Sequence, residues 1–418
     1  MADKQLNKYM HKFIKDVCEE IGPRESGTES EKLAGEMVES ELKSYCDKTR
    51  REKYIASPTA FLGGIRYGAL LVLISIIMYW LSLLVDIDII PLDSIWSSIF
   101  MIIGISLLIL SVSYFILEVM RYHESFDFLF PKRESENIVG IIEPKNEVKQ
   151  SVIISAHHDS AYEFNLFYYL KRFGQITINI GYGGVVVVFI VSIVKFVLNL
   201  FNVYVDIVFI IFGILFLVLL PIVGAYMFFH TYNSVPGAFD NLSGVAIVLG
   251  VGKYLSEHKD EFLSKNTKIY LISFAGEEAG LRGAKRYLKK HYDELKKENT
   301  KMVNIDSVAD TKPIIFVDKE ILVGATHEES IYTKLKEVAE KKDIHCKIGS
   351  LPFGATDAAA FSKKGIQATT ISGLNLVDEL APYYHTRLDT PDVVNPEALG
   401  IVAGICVDYI KEIDEEVQ

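Results

Sequence analysis

Four stretches of this chain, Tyr67 to Val85, Ile95 to Leu117, Ile178 to Val194 and Ile207 to Phe229, are each about 17 to 23 residues of mainly apolar side chains. About 20 such residues span the ~30 Å hydrocarbon layer of a bilayer. A helix of a soluble core needs only an apolar stripe, not an apolar circumference. The sequence therefore predicts four membrane-spanning helices, and a 50% share of hydrophobic residues fits that reading. In the third stretch Gly181, Gly183 and Gly184 interrupt the start and Lys195 closes the end, so an interfacial or re-entrant segment is the alternative there.

The spans come in pairs joined by short loops, so a chain that enters the membrane returns to the side it left. Residues 61–121 and 175–229 are then two hairpins, and residues 1–60, 122–174 and 230–418 share one face. These amount to about 300 residues, enough for one sizeable α/β domain. Lys48, Arg50, Arg51, Lys53 and Arg66 precede the first hairpin, Arg121, Lys132 and Arg133 follow it, and Lys171 with Arg172 precede the second. The far loops carry Asp86, Asp88 and Asp93 in one, and Asp206 against Lys195 in the other. The positive-inside rule places the domain and both termini in the cytoplasm. Met1 to Lys15 is polar and amphipathic, without an apolar signal region.

Cys18, Cys46, Cys346 and Cys406 are widely spaced and read as ordinary reduced thiols. The net charge of −11 argues against a nucleic-acid partner, as does the lack of a basic stripe or a phosphate-cradling glycine loop.

Outside the hairpins, helices are expected over 5–21 and from Thr28, where Thr28 and Glu31 fit a capping box. Strands at 137–142 and 152–155 follow. Then come helix 243–257, strand 268–274, helix 279–297, strands 302–305 and 313–317, helix 328–342, strand 367–372 and helix 395–413. This alternation predicts an α/β fold, a mixed and mostly parallel sheet flanked by helices.

In such sheets ligands bind beyond the carboxyl ends of strands. The polar residues found there are His157, His158 and Asp159 after the second strand, Glu277 and Glu278 after 268–274, and Asp306 after 302–305. Loops add Asp240 and His385. Imidazoles and carboxylates without thiolates suit a hydrolytic metal site better than a structural one. Each piece alone is weak: paired glutamates commonly open a solvated helix, and Asp240 has the alternative of capping the helix near Ser243. The conjunction is what points to a metal site.

These residues resemble the co-catalytic zinc aminopeptidases, family twenty-eight of the metallopeptidases, across essentially all the soluble sequence. Gly22-Pro23-Arg24 with Ser26-Gly27-Thr28 looks like the family's N-terminal signature, and Thr356-Asp357 with Phe361 and Gly365-Ile366 like a late supporting segment. The resemblance implies two zinc ions, with cobalt or manganese as alternatives. His157 and Asp306 would hold one ion, Glu278 and His385 the other, and Asp240 would bridge them. It also implies Glu277 as general acid/base and Asp159 as the group orienting the His157 ring. Phe239 stands where relatives commonly carry Asn or Asp, and His158 where they carry an aliphatic or aromatic residue; His158 then reads as a pocket or spare polar residue.

The resemblance implies a peptide substrate. Asp240 lies about 11 residues from Phe229, at most roughly 40 Å of extended chain. The metal site is therefore expected near the bilayer, with amphipathic or membrane-derived peptides as the substrate class and hairpins that only anchor as the alternative. Tyr162 to Phe173, aromatic with a basic end, reads as an interfacial segment. A carboxypeptidase or other amidohydrolase, and a non-catalytic membrane receptor or scaffold, are the competing functions.

Overall fold

A computed structural model of the chain describes residues 4–203, 205–259, 264–374 and 382–417. Its strands are β1 (Lys48–Ala56), β2 (Arg133–Ile142), β3 (Gln150–His157), β4 (Thr267–Phe274), β5 (Lys301–Asp306), β6 (Ile315–Glu320), β7 (Ala325–Thr326), β8 (Lys347–Leu351) and β9 (Gln367–Ser372). They form one sheet in the order β1-β2-β4-β3-β5-β9-β6-β7, with β8 beside β6. The centre, β4-β3-β5-β9, is parallel, and antiparallel strands flank it on both sides. The fold is thus a mixed α/β sheet sandwiched by helices.

The helices are α1 (Lys4–Glu20), α2 (Glu29–Tyr45), α3 (Ala60–Gly63), α4 (Ile65–Asp86), α5 (Ser94–Tyr114), α6 (Asn165–Leu170) and α7 (Arg172–Leu200). After them come α8 (Asp206–Ala225), α9 (Ser243–Glu257), α10 (Arg282–Lys297), α11 (Glu329–Glu340), α12 (Asp357–Ser362) and α13 (Pro396–Glu416). Strand β3 is buried along its whole length, as a central parallel strand covered on both faces must be. Its alternation divides the core. Val152 and Ile154 pack with α1, α2, α9 and α13, whereas Ile153 points to the face covered by α10 and α12.

Strand β1 lay outside the sequence expectation because KTRREKYIA carries charges where a half-buried strand shows apolar residues. Those charges are used within the sheet edge. Arg51 pairs with Glu39 at 2.6 Å and Glu136 at 3.2 Å, Lys48 with Glu143 at 2.8 Å, and Lys53 with Glu134 at 2.7 Å. They are therefore not the juxtamembrane charges for which the sequence reading counted them.

Four helical stretches, Ala60–Asp86, Ser94–Met120, Phe173–Leu200 and Asp206–Phe228, are long and apolar enough to cross a membrane. The third is one continuous helix. Two of its glycines are close packing contacts, since a Cβ on Gly181 would lie 2.4 Å from the Tyr226 ring just after α8 and one on Gly184 2.8 Å from Leu219 of α8, whereas Gly183 faces open space. The two hairpins join at the end remote from the sheet through buried polar groups. There Lys195 pairs with Asp86 and donates to Ser82 at 2.7 Å, and Asn199 donates to Asp86 at 3.2 Å and to Ser97 at 2.9 Å.

Removing one partner of a buried ion pair strands the other and costs about 3–5 kcal/mol. Lys195→Met should accordingly lower the thermal unfolding midpoint in detergent. The double variant Lys195→Met with Asp86→Asn should recover most of the loss; equal losses in both would show that the pair itself matters little.

Candidate metal centre at the carboxyl edge of the sheet

Strands β3, β4 and β5 are parallel neighbours, so the residues that follow them emerge side by side. His157 ends β3 and Asp306 ends β5. After β4 the chain turns through Gly276 and Gly280, both at positive φ (66° and 94°), and α10 begins only at Arg282. Glu277 and Glu278 therefore sit on a tight turn instead of ahead of a helix starting at 279, as the sequence reading had it. Asp159 fastens this turn: its carboxylate accepts from the backbone N–H of Glu277 and of Glu278, each at 3.1 Å, and from Ser26 Oγ at 2.7 Å.

Asp240 does not cap α9. Asn241 does, accepting from Gly244 N at 3.0 Å, which leaves the Asp240 carboxylate free to face the sheet edge. Two buried side chains fix the loop that carries it. The fully buried Arg24 donates to the carbonyls of His158 (2.8 Å), Pro236 (2.7 Å) and Gly237 (3.0 Å). Asp389 accepts from the backbone of Phe239 at 2.6 Å and of Asp240 at 3.1 Å.

The structure brings the sequence candidates together. Ligand atoms of His157, Asp240 and Asp306 lie within 4.8 Å of one another, as do those of His157, Glu277 and Glu278, and those of Asp240, Glu278 and His385. The Asp240 carboxylate faces both ways: Oδ1 is 3.3 Å from His157 Nε2 and Oδ2 is 3.0 Å from His385 Nε2. Glu278 Oε1 lies 3.3 Å from His385 Nε2, and Glu277 Oε2 3.9 Å from His157 Nε2. The other nitrogen of His157 meets Asp159, at 3.2 Å from its carbonyl and 3.4 Å from its carboxylate, so the main chain shares the task given to that carboxylate.

Burial and crowding set the electrostatics. Burial, then the charge of Asp240, push Asp306 up to about 7. Glu277 and Glu278 are raised by burial above all, with His157 and His385 opposing. Burial also works to raise Asp240, but hydrogen bonds from His157 and His385 hold it well below the ordinary carboxylate range. His385 is pushed up to about 10 against burial, by Glu278 and Asp240. Like charges packed this closely are unfavourable unless a cation sits among them. Buried carboxylates and imidazoles whose oxygens and nitrogens converge without a thiolate are a donor set that fits a divalent metal.

His158 is not part of the cluster. Its Nδ1 contacts Ser273 Oγ at 2.8 Å and its ring packs toward Gly35 of α2, so it is a core residue, lowered to about 4 chiefly by burial. This corrects the expectation of a pocket residue. Phe239 is buried against Tyr383, with ring centroids 5.1 Å apart. The sequence reading missed Asp389, although it lies four residues beyond His385 in the same loop. It also missed Ser307, which donates to Asp306 at 2.8 Å.

The cluster forms one wall of a cavity of about 1520 Å³ that also reaches the two apolar hairpins. The contact is direct: the Phe164 ring lies 4.5 Å from His385 and 4.4 Å from Phe229 at the end of the second hairpin. Tyr162 is buried, whereas Tyr169 and Phe173 are exposed, so the aromatic segment read as interfacial is only partly outward-facing.

Residues 226–410 match the model of peptidase family M28. Aminopeptidase YwaD of Bacillus subtilis (strain 168) is 27% identical over 173 residues, 40% of this chain and 36% of that protein. The chain thus spans about a third of the length of that curated relative. Among solved structures, BSAP, a zinc aminopeptidase from Bacillus subtilis, superposes with a TM-score of 0.55 at 16% identity, covering 97% of this chain and 95% of that one. A glutaminyl cyclase from an Acidobacteriales bacterium gives 0.56 at 13% identity, covering 98% and 95%.

Two outcomes follow from the geometry. Asp389→Ala leaves the N–H groups beside Asp240 unpaired and should weaken zinc binding about 10- to 100-fold in a calorimetric titration while the protein stays folded. The second concerns pH. A carboxyl raised from its ordinary ~3.9 favours the metal-free fold below that value, and this stability is lost as pH rises through about 7. Metal must displace the proton. Zinc affinity should therefore climb with pH through 7 and beyond it, because His385, raised to about 10, must also give up its proton, with protons released to the buffer; a flat profile without proton release would contradict this.

Proposed function

We propose that this chain, a member of peptidase family M28 through residues 226–410, is a membrane-embedded zinc aminopeptidase acting on peptides at the membrane surface. Its discontinuous peptidase domain comprises residues 1–60, 122–174 and 230–418, and residues 61–121 and 175–229 form the hairpins. The observation that carries the two-ion reading is the carboxylate of Asp240, whose two oxygens face two different histidines at 3.3 and 3.0 Å. His157 and Asp306 complete one position, Glu278 and His385 the other. Zinc is the metal that the oxygen and nitrogen donors suit, and cobalt or manganese would be accepted by the same set.

Bound zinc supplies the Lewis acidity that polarises a scissile carbonyl and acidifies a water. The chain's own residues do the rest. Glu277, adjacent to a ligand but not itself one, takes the water's proton and passes it to the departing amine. Its raised affinity for protons, set by burial and by the neighbouring Glu278 against His157, suits that exchange. Asp159 keeps Glu277 and Glu278 at fixed spacing through their backbone N–H groups.

Charge favours an amino end over a carboxyl end. Asp240, Glu277, Glu278 and Asp306 all line the cavity beside the proposed metal positions. A substrate ammonium can pair with those carboxylates, whereas Lys171 is the one lysine or arginine among the described lining residues that a free carboxylate would meet. The intact set of His157, Asp240, Glu277, Glu278, Asp306 and His385 also favours an enzyme over a scaffold. On the charges that remain near the hairpins, Arg66, Arg121, Lys132 and Lys171 against Asp88 and Asp93, the positive-inside rule puts the domain in the cytoplasm.

Glu277→Ala should retain zinc by elemental analysis yet lose about 10²- to 10⁴-fold in kcat on aminoacyl peptides. His157→Ala should lose both metal and activity, and N-acetylated peptides should resist cleavage by the wild type. A wild-type protein that binds no metal and cleaves no peptide would support the scaffold instead.

A further inference from the structure

The acidic cluster occupies only one end of its cavity. From Glu277, Asp306 and His385 the space continues between the long helices, where its walls are Val72 of α4, Val112 of α5, Val185 and Val186 of α7, and Val223 of α8. Val72 lies seven residues into α4 and Val186 fourteen into α7. At 1.5 Å per residue, the walls reach about 10 to 20 Å into the layer of apolar helices. The cavity ends before the Lys195 and Asp86 cluster, whose residues do not line it.

Size and lining speak to the occupant. Pockets for drug-sized ligands hold about 300 to 1000 Å³, and this one, at about 1520 Å³, exceeds what a single side chain beside the metal site needs. Its deep part offers no charge to a soluble, polar peptide. Gln175 and Asn179, three and seven residues into α7, line the cavity nearer the start of that helix; Gln175 Nε2 donates to Asn179 Oδ1 at 3.2 Å, and the remaining Gln175 Oε1 and Asn179 Nδ2 can pair backbone N–H and C=O groups of a chain that passes into the apolar space. A fatty chain has no such groups to pair; a peptide does.

We propose, resting on the aminopeptidase reading above, that the substrate is a peptide with an apolar segment directly after its amino-terminal residue, and that this segment lies in the cavity between the hairpins. The amino-terminal residue occupies the metal end, so the chain that continues from it is the part that enters the apolar space. Hairpins inserted into the middle of the peptidase sequence then form part of the substrate site as well as an anchor.

The test uses the purified full-length protein in one detergent, with amino-terminal leucyl peptide amides of two to eight residues in an apolar series and a matched serine- and glycine-rich series. The wild type should show kcat/KM rising at least tenfold with length in the apolar series and staying flat in the polar one. Val112→Trp and Val185→Trp, which fill the cavity from one helix of each hairpin, should cut the ratio of octapeptide to dipeptide at least fivefold. Thermal unfolding reports whether each variant is folded, and the wild-type length series stands without them. A flat apolar series, or a rise that both folded variants leave unchanged as micelle partitioning would, overturns the proposal while the dipeptide is still cleaved. Failure of the wild type to cleave even the dipeptide overturns the peptidase reading itself.

Discussion

The carboxylate of Asp240 stands between two imidazoles that come from opposite sides of the second apolar hairpin in sequence, and the whole site depends on holding it there. Crowded buried carboxylates repel one another, and folding them together is unfavourable without an opposing charge. The fold resists that repulsion by pinning the loops through the backbone. Arg24 gathers the carbonyls of 158, 236 and 237, Asp389 holds the N–H groups of 239 and 240, and Asp159 holds those of 277 and 278. The side chains that face the metal position are thereby fixed by partners that do not themselves face it, as supported metal sites generally require.

The hairpins are tied to the same framework. Arg282, the first residue of α10 and four positions beyond Glu278, is buried and pairs with Glu118 at the sheet-side end of the first hairpin and with Asp127 just after it. On the other side of the site, Arg387 and Glu163 join the His385 loop to the start of the second hairpin at 2.7 Å, and Phe164 packs on the His385 ring. Chain continuity and these contacts make the long apolar helices and the loops of the acidic cluster one packed unit. A detachable anchor on a flexible linker would need none of them.

How far the sequence was legible depended on the type of signal. Long apolar runs and buried strands such as 150–157 and 367–372 announce themselves, because burial on all sides leaves no room for charge. His157, Asp306 and the paired glutamates were legible because they stand directly after such strands. The edge strand β1 was not, since its half-exposed positions are filled by Arg and Lys engaged in ion pairs, and the same charges then misled the count for membrane orientation. His158 looked like a site residue from its position alone; only the alternation of the strand end shows that it points to the opposite face. Asp389 acts through backbone N–H groups 149 and 150 positions away in sequence, a relation that no local pattern carries.

The central claim is that Asp240 bridges two metal ions. Anomalous diffraction at the zinc edge from crystals of the zinc-loaded protein tests it most directly. Two peaks about 3.5 to 4 Å apart, one between Asp240, His157 and Asp306 and the other between Asp240, Glu278 and His385, are the predicted result. A single peak on one side of Asp240, or zinc bound elsewhere with this cluster empty, would contradict it.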